Sequence, residues 1–262
     1  MIFAPVAKTA GLPVKTGCNN VISMKIAPRL ILLSVALGFL TWSRLTAADA
    51  PASRESTTVP SDSNYTGRHA ADNKACEALV AAMKGKPCDL IFIGDSITQG
   101  WVQRNGKDVW EKHYAGRNAL DFGVGADRTQ HTLWRLDHMD VASFRPKVAV
   151  LLIGTNNNLD TPEDIAAGVK AVLTKTQQTF PGVKVILMSI LPNARANDKM
   201  MAANAITRTM ADNRGVYYLD LAAKMTPEGD SWKGLGPDKL HLTPEGYEMW
   251  AAELDPLLAK LL

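Results

Sequence analysis

Gly94-Asp95-Ser96 follows an apolar run directly, which puts a serine hydroxyl at a strand-to-helix turn. A serine there has its own N–H unpaired, and unpaired N–H groups at a helix start stabilise a developing negative charge. The same position suits a plain helix cap. The hydroxyl is a poor nucleophile without an adjacent base. Of the five histidines (His69, His113, His131, His138 and His241), His241 has the setting for that task. It lies in the turn Pro237–Pro244, three residues after Asp238. In a tight turn this spacing lets the carboxylate hold one ring N–H and leaves the other nitrogen free to take the serine proton. A capping loop with a surface histidine would read alike, and His138 beside Asp137 reads as just that. Two ligands with no third nearby do not suit a metal. Thr98 stands where a Gly-x-Ser-x-Gly elbow would have its second glycine, so Ser96 is not in that motif. Two further fragments complete the candidate set. Gly154-Thr155-Asn156 ends an apolar run, where the Asn156 amide can donate to an oxyanion. Gly123-Val124-Gly125-Ala126-Asp127 ends another, where a tight turn can aim a backbone N–H at the same point.

These fragments need elements to hold them. Short apolar strands are expected at residues 89–93, 119–124, 148–153, 184–190 and 216–221. Helices are expected at 70–84, 109–114, 128–138, 162–180, 199–213 and from Thr243 to the C-terminus. Strands separated by helices imply a parallel sheet covered on both faces. In such sheets sites form beyond the carboxyl ends of the strands, and Ser96, Ala126, Asn156 and His241 all fall after a strand or on that rim.

The four blocks, in this order, resemble the SGNH (GDSL-type) hydrolase superfamily, named for a Ser, a Gly, an Asn and a His. Within it, the likeness is to the catalytic subunits of platelet-activating-factor acetylhydrolase and their bacterial relatives. It is carried by IFIGDSITQGW (91–101), NALDFGVGADRTQHTLWRL (118–136), RPKVAVLLIGTNN (145–157) and DKLHLTPEGY (238–247). The resemblance implies an α/β fold, a three-layer α/β/α sandwich with a five-stranded parallel sheet, flavodoxin-like in type. It implies Ser96 as nucleophile, Asp238 and His241 as acid and base, and an oxyanion hole of Ser96, Ala126 and Asn156. The family has a glycine where this chain has Ala126. Alanine keeps the N–H, and its methyl group is tolerable unless the turn requires a positive φ. The implied activity is hydrolysis of short acyl esters, acetyl foremost, through an acyl-enzyme, with carbohydrate esters as the expected target. No metal or organic cofactor is needed. An inactive carbohydrate- or lipid-binding module and a phospholipid-type acetylhydrolase or lysophospholipase are the alternatives. A phosphate-ester or amide hydrolase would call for a metal cluster or a basic phosphate cradle, and the sequence shows neither.

Met24-Lys25 to Arg29, the apolar run Leu30–Leu40 and Ala48-Asp49-Ala50 have the layout of a secretory signal, with Met24 as an alternative start. The run is about 11 residues, short of the roughly 20 a spanning helix needs. Residues 1–50 are therefore expected to be a leader, 51–66 (rich in Ser, Thr, Pro and Asp) a flexible linker, and 67–262 the hydrolase domain, periplasmic or secreted. The leader holds five of the 29 basic residues and one of the 26 acidic ones, so the remainder carries 24 and 25, a net charge of −1. That balance asks for no nucleic-acid partner. The partner expected is a small-molecule or glycan ester, with no stable membrane insertion once the signal is removed. Cys76 and Cys88 are either a disulfide or two buried thiols.

Overall fold

A computed structural model describes residues 55–262. The leader, with its signal and alternative start, lies outside them. The chain runs α1 (Ser63–Thr66), α2 (Ala70–Met83), β1 (Leu90–Gly94), α3 (Ser96–Gln103), α4 (Lys107–His113), β2 (Ala119–Gly123), α5 (Thr129–His138) and β3 (Val148–Leu152). It continues through α6 (Pro162–Thr179), β4 (Lys184–Met188), α7 (Asn197–Thr207), β5 (Val216–Leu219), a small antiparallel pair β6 (Pro227–Glu228) and β7 (Ser231–Trp232), and α8 (Pro244–Leu261). Among the described residues no helix is long and apolar enough to cross a membrane.

Strands β1 to β5 form one parallel sheet in the order β2-β1-β3-β4-β5. Side chains alternate across a strand, and here alternation feeds two cores. Ile91, Ile93, Leu120, Phe122, Ala149 and Leu151 face α2, α5 and α6. Leu90, Phe92, Val148, Val150, Leu152 and Ile186 face α3, α4 and α8. Both faces being buried explains why β1 and β3 read as unbroken apolar runs rather than alternating ones. The result is the three-layer α/β/α sandwich.

The strand order reverses between β1 and β3, since β1 connects outward to β2 and the chain then returns to the other side. Ligands bind at such a switch point, and Ser96 and Asn156 follow the two strands that flank it. The glycine ending β1 makes the close fit there possible. A Cβ on Gly94 would lie 2.3 Å from the Leu152 carbonyl oxygen and 2.1 Å from Thr98 Oγ1. Helix α3, which begins at Ser96, is fixed from the other end by aromatic packing. Trp101 lies 4.6 Å from Tyr247, 5.0 Å from Trp250 and 5.2 Å from Tyr114, centroid to centroid. The Tyr247 hydroxyl also donates to the Ile97 carbonyl at 2.7 Å.

Two expectations are corrected, and the choice left open at Cys76 and Cys88 is decided. Residues 55–66 are not a free linker but pack on the domain: Thr57 donates to the Asp164 carbonyl (2.8 Å), Thr129 donates to the Thr57 carbonyl (2.7 Å), and α1 carries a buried Asn64. A polar composition misled because Thr57 and Asn64 are buried and bonded inward, while most of the other side chains in the stretch are exposed. Cys76 and Cys88 are separate buried thiols, not a disulfide; burial pushes the Cys76 thiol up to about 12 and the Cys88 thiol to about 11. The expected helix 199–213 is α7 over 197–207 followed by a short 3₁₀ turn, Arg208–Met210.

Candidate active site

Ser96 is the first residue of α3, and Asp95 is its cap, with Oδ1 accepting from the Ile97 N–H at 2.9 Å. The capping task therefore falls to Asp95, and the Ser96 hydroxyl is left for another partner. That partner is His241, with Oγ to Nε2 at 2.9 Å. The other ring nitrogen, Nδ1, lies 2.6 Å from Asp238 Oδ2. A carboxylate only accepts, so Nδ1 carries the hydrogen and Nε2 is free to accept from the serine. Asp238 is itself fixed by the turn, its Oδ1 accepting from the N–H groups of Leu240 (3.2 Å) and His241 (3.0 Å). Partial burial works to raise its pKa, but the imidazole and these two N–H groups outweigh it and hold the carboxyl below its ordinary value. Asp95 is the opposite case: full burial, helped by the Asp127 charge, pushes it up to about 7 and outweighs the Ile97 N–H, Thr155 and Arg195.

Ala126 and Asn156 sit across the same cavity from His241. As a first helical residue Ser96 has no intrahelical carbonyl for its N–H, and the Ala126 N–H has no partner among the described residues. The Asn156 amide is oriented from both ends. Its Oδ1 accepts from Arg195 Nη1 (3.3 Å), and its Nδ2 donates one hydrogen to the Asp127 carbonyl (3.0 Å), leaving the second for the cavity. Serine, histidine and aspartate in one hydrogen-bonded line beside three N–H donors can attack an ester carbonyl and hold the oxyanion that forms.

Ala126 has φ of 58°, in the left-handed region. The condition under which its methyl group is costly is thus met. An L-residue there costs about 1–2 kcal/mol, partly offset because glycine would lose more chain entropy. Ala126→Gly is expected to keep the turn and its N–H, hold kcat within about twofold, and stabilise the fold by roughly 0.5–1 kcal/mol. Asn156→Ala removes a donor instead, and kcat is expected to fall about 10²–10³-fold with the fold intact. Steady-state kinetics and urea denaturation on the two variants check both statements. A large loss of kcat in Ala126→Gly would mean that the methyl group itself shapes the site.

Several neighbours of the site escaped sequence reasoning. Asp127, fully buried after Ala126, accepts from Asn64 (2.6 Å), Thr132 (3.1 Å) and Arg135 Nε (2.7 Å). Arg135 is buried too and donates to the carbonyls of Phe122 (3.0 Å) and Gly94 (3.3 Å), tying the ends of β1 and β2 to the Ala126 turn. Arg68, His69 and Asp72 line the cavity, with His69 Nδ1 3.0 Å from Asp72. They went unnoticed because they follow the stretch read as linker. The loop after β4 (residues 191–198), by contrast, is expected at the cavity from the topology: Arg195 does border it, whereas Asn193 is buried and folds the loop by accepting from the N–H groups of Arg195 and Ala196. His138 is a surface residue stacked on Trp134.

The model of the family described as GDSL-like Lipase/Acylhydrolase matches residues 92–249. Among curated proteins, human platelet-activating factor acetylhydrolase IB subunit alpha1 is 32% identical over 190 residues, 70% of this chain and 81% of that one. The rat subunit alpha2 is 30% identical over 190 residues, 70% and 82% of the two chains. Among solved structures, a GDSL-like lipase from Bacteroides thetaiotaomicron superposes with a TM-score of 0.62 at 22% identity, covering 73% of this chain and 99% of that one. An aryl esterase from M. smegmatis superposes with a TM-score of 0.55 at 18% identity, covering 67% and 100%. The likeness to these two structures is one of fold.

Proposed function

Since the chain belongs to the GDSL-like lipase/acylhydrolase family, within the SGNH hydrolases, we propose that it is a serine carboxylic-ester hydrolase that removes short acyl groups, acetyl foremost, from carbohydrate esters. The observation that carries the reading is the line Ser96 Oγ–His241 Nε2 (2.9 Å) and His241 Nδ1–Asp238 Oδ2 (2.6 Å) opening on one cavity. His241 takes the Ser96 proton as Oγ attacks the ester carbonyl carbon. The N–H groups of Ser96 and Ala126 and the Asn156 amide hold the oxyanion. The alcohol leaves with the proton from His241, and the acyl group stays on Ser96. Water then gives a proton to His241 and attacks the acyl carbon, and Ser96 recovers its proton as the acid departs.

Cavity size and lining support the short-acyl part. The volume is about 340 Å³, at the small end of ligand pockets. Leu240 is the largest apolar side chain on its wall, so a long acyl chain would find little surface to bury. The curated relatives are named as acetylhydrolases, in keeping with an acetyl group. The lining is polar apart from Gly125, Ala126 and Leu240, which supports a polar, carbohydrate-type alcohol over a long-chain lipid. Residues 24–50 support placement in the periplasm or outside the cell, and N-terminal sequencing of the native protein, expected to begin near Pro51, tests that.

The substrate reading is tested with kcat/KM on p-nitrophenyl acetate, butyrate, octanoate and palmitate, then with acetate release from acetylated xylan. Acetate is expected to be cleaved fastest, with rates falling from butyrate onward. Faster cleavage of octanoate than of acetate would overturn the short-acyl claim. Fast acetate hydrolysis with no release from any acetylated glycan would remove the carbohydrate claim alone.

A further inference from the structure

The cavity in front of Ser96 is ringed by four arginines from four parts of the chain. Arg68 precedes α2, Arg104 ends α3, Arg128 caps α5, and Arg195 lies in the loop after β4. One carboxylate, that of Asp72, shares the lining, and it is engaged with His69. Among the described residues none of the four guanidinium groups is paired with a carboxylate. Arg68 donates to His69 (3.4 Å) and Arg195 to Asn156 (3.3 Å), both neutral acceptors. Composition does not account for this, because basic and acidic residues balance almost evenly from Pro51 onward. Four like charges around about 340 Å³ repel one another, and a cleft lined by one sign of charge concentrates ions of the other sign. Guanidinium groups match carboxylate and phosphate oxygens two at a time.

We propose that the substrate is an anionic ester, one whose alcohol part carries a carboxylate or a phosphate group within reach of the cavity wall, and that the arginine ring holds that group. The proposal rests on the reading of this cavity as an esterase site and narrows its substrate from carbohydrate esters in general to acidic ones. The oxyanion hole and the ring are separate devices. The first meets charge that develops on the carbonyl oxygen, and the second meets charge the substrate already has. Arg195 serves both, since it also orients Asn156.

The test compares 4-acetoxybenzoate and 4-acetoxyphenyl phosphate with the uncharged methyl 4-acetoxybenzoate, each kcat/KM being divided by that ester's own hydroxide-catalysed rate. At low ionic strength the anionic esters are expected to be favoured by about tenfold or more. The advantage should shrink in about 0.5 M NaCl, which screens exposed charges. The better of the two anionic esters identifies the group. Arg68→Gln/Arg104→Gln is chosen because neither residue touches Asn156, and it should raise KM for the favoured ester about tenfold with a smaller change in kcat. Arg214→Gln, an exposed arginine before β5, should change nothing. Equal or slower cleavage of the anionic esters would overturn the proposal while the esterase reading stands. If no ester is cleaved, the esterase reading falls, and calorimetry on Ser96→Ala decides the charge question separately. Tighter binding of 4-acetoxybenzoate than of its methyl ester upholds it, and equal binding overturns it.

Discussion

Ser96→Ala and His241→Ala are each expected to lower kcat on p-nitrophenyl acetate by about 10⁴–10⁶-fold, and the double variant by little more. The reason is geometric. Oγ and Nε2 are 2.9 Å apart, so either residue alone has no function in the attack: a base with no hydroxyl to deprotonate, or a hydroxyl with no base. Residues acting as one unit give losses that do not add. What survives should be the contribution of the oxyanion donors and of binding. Asp238→Asn should be milder, about 10²–10⁴-fold. The Asp238 side chain is 53% exposed, so water can partly replace it as the acceptor for Nδ1–H. Circular dichroism should show all four variants folded, because neither the Ser96 hydroxyl, the His241 ring nor the half-exposed Asp238 carboxylate carries the core. A Ser96→Ala protein that kept most of its turnover would end the assignment, whatever the other variants did.

The sheet was legible because burial on both faces writes itself as runs such as VAVLL and LIFIG, which have no surface periodicity to confuse with a helix. The Asp238–His241 pair was legible because a three-residue turn fixes its geometry locally. Ala126 was only half legible. Its departure from glycine stands in the sequence, but the sign of φ depends on how Asp127 is held, and that is decided by Asn64, Thr132 and Arg135. Contacts of this kind are tertiary and leave no periodic trace. The same holds for the stretch 55–66, whose Thr57 and Asn64 look solvated in sequence yet supply inward hydrogen bonds. It holds again for the arginine ring, whose members lie as far apart as Arg68 and Arg195. Helix α3 was legible only as a turn, because eight residues beginning at Ser96 give little apolar periodicity, although Trp101 anchors it.

Arg135→Leu is expected to destabilise the fold by about 3–5 kcal/mol, the usual consequence of leaving one member of a buried ion pair without its partner. Arg135 is 1% exposed and Asp127 fully buried, at 2.7 Å. The substitution also strips a donor from the Phe122 and Gly94 carbonyls, and its apolar replacement cannot reach the face of Phe122 as the guanidinium does at 4.2 Å. Set against about 5–15 kcal/mol for an ordinary domain, the loss should bring the urea midpoint down steeply. Arg135→Lys keeps a charge but cannot fork to three acceptors, so it should fall between the two. Arg135→Met with Asp127→Leu should recover only part of the loss. An apolar pair usually replaces a buried ion pair well, but here Asn64 and Thr132 would lose their shared acceptor and remain buried. On the proposed mechanism the network also supports chemistry, because Asp127 follows Ala126 and its carbonyl holds Asn156. In the folded fraction of Arg135→Lys, kcat should therefore drop more than KM rises. If Arg135→Leu cost under about 1 kcal/mol, the range of an exposed pair, the buried network would not be what holds the Ala126 turn in place.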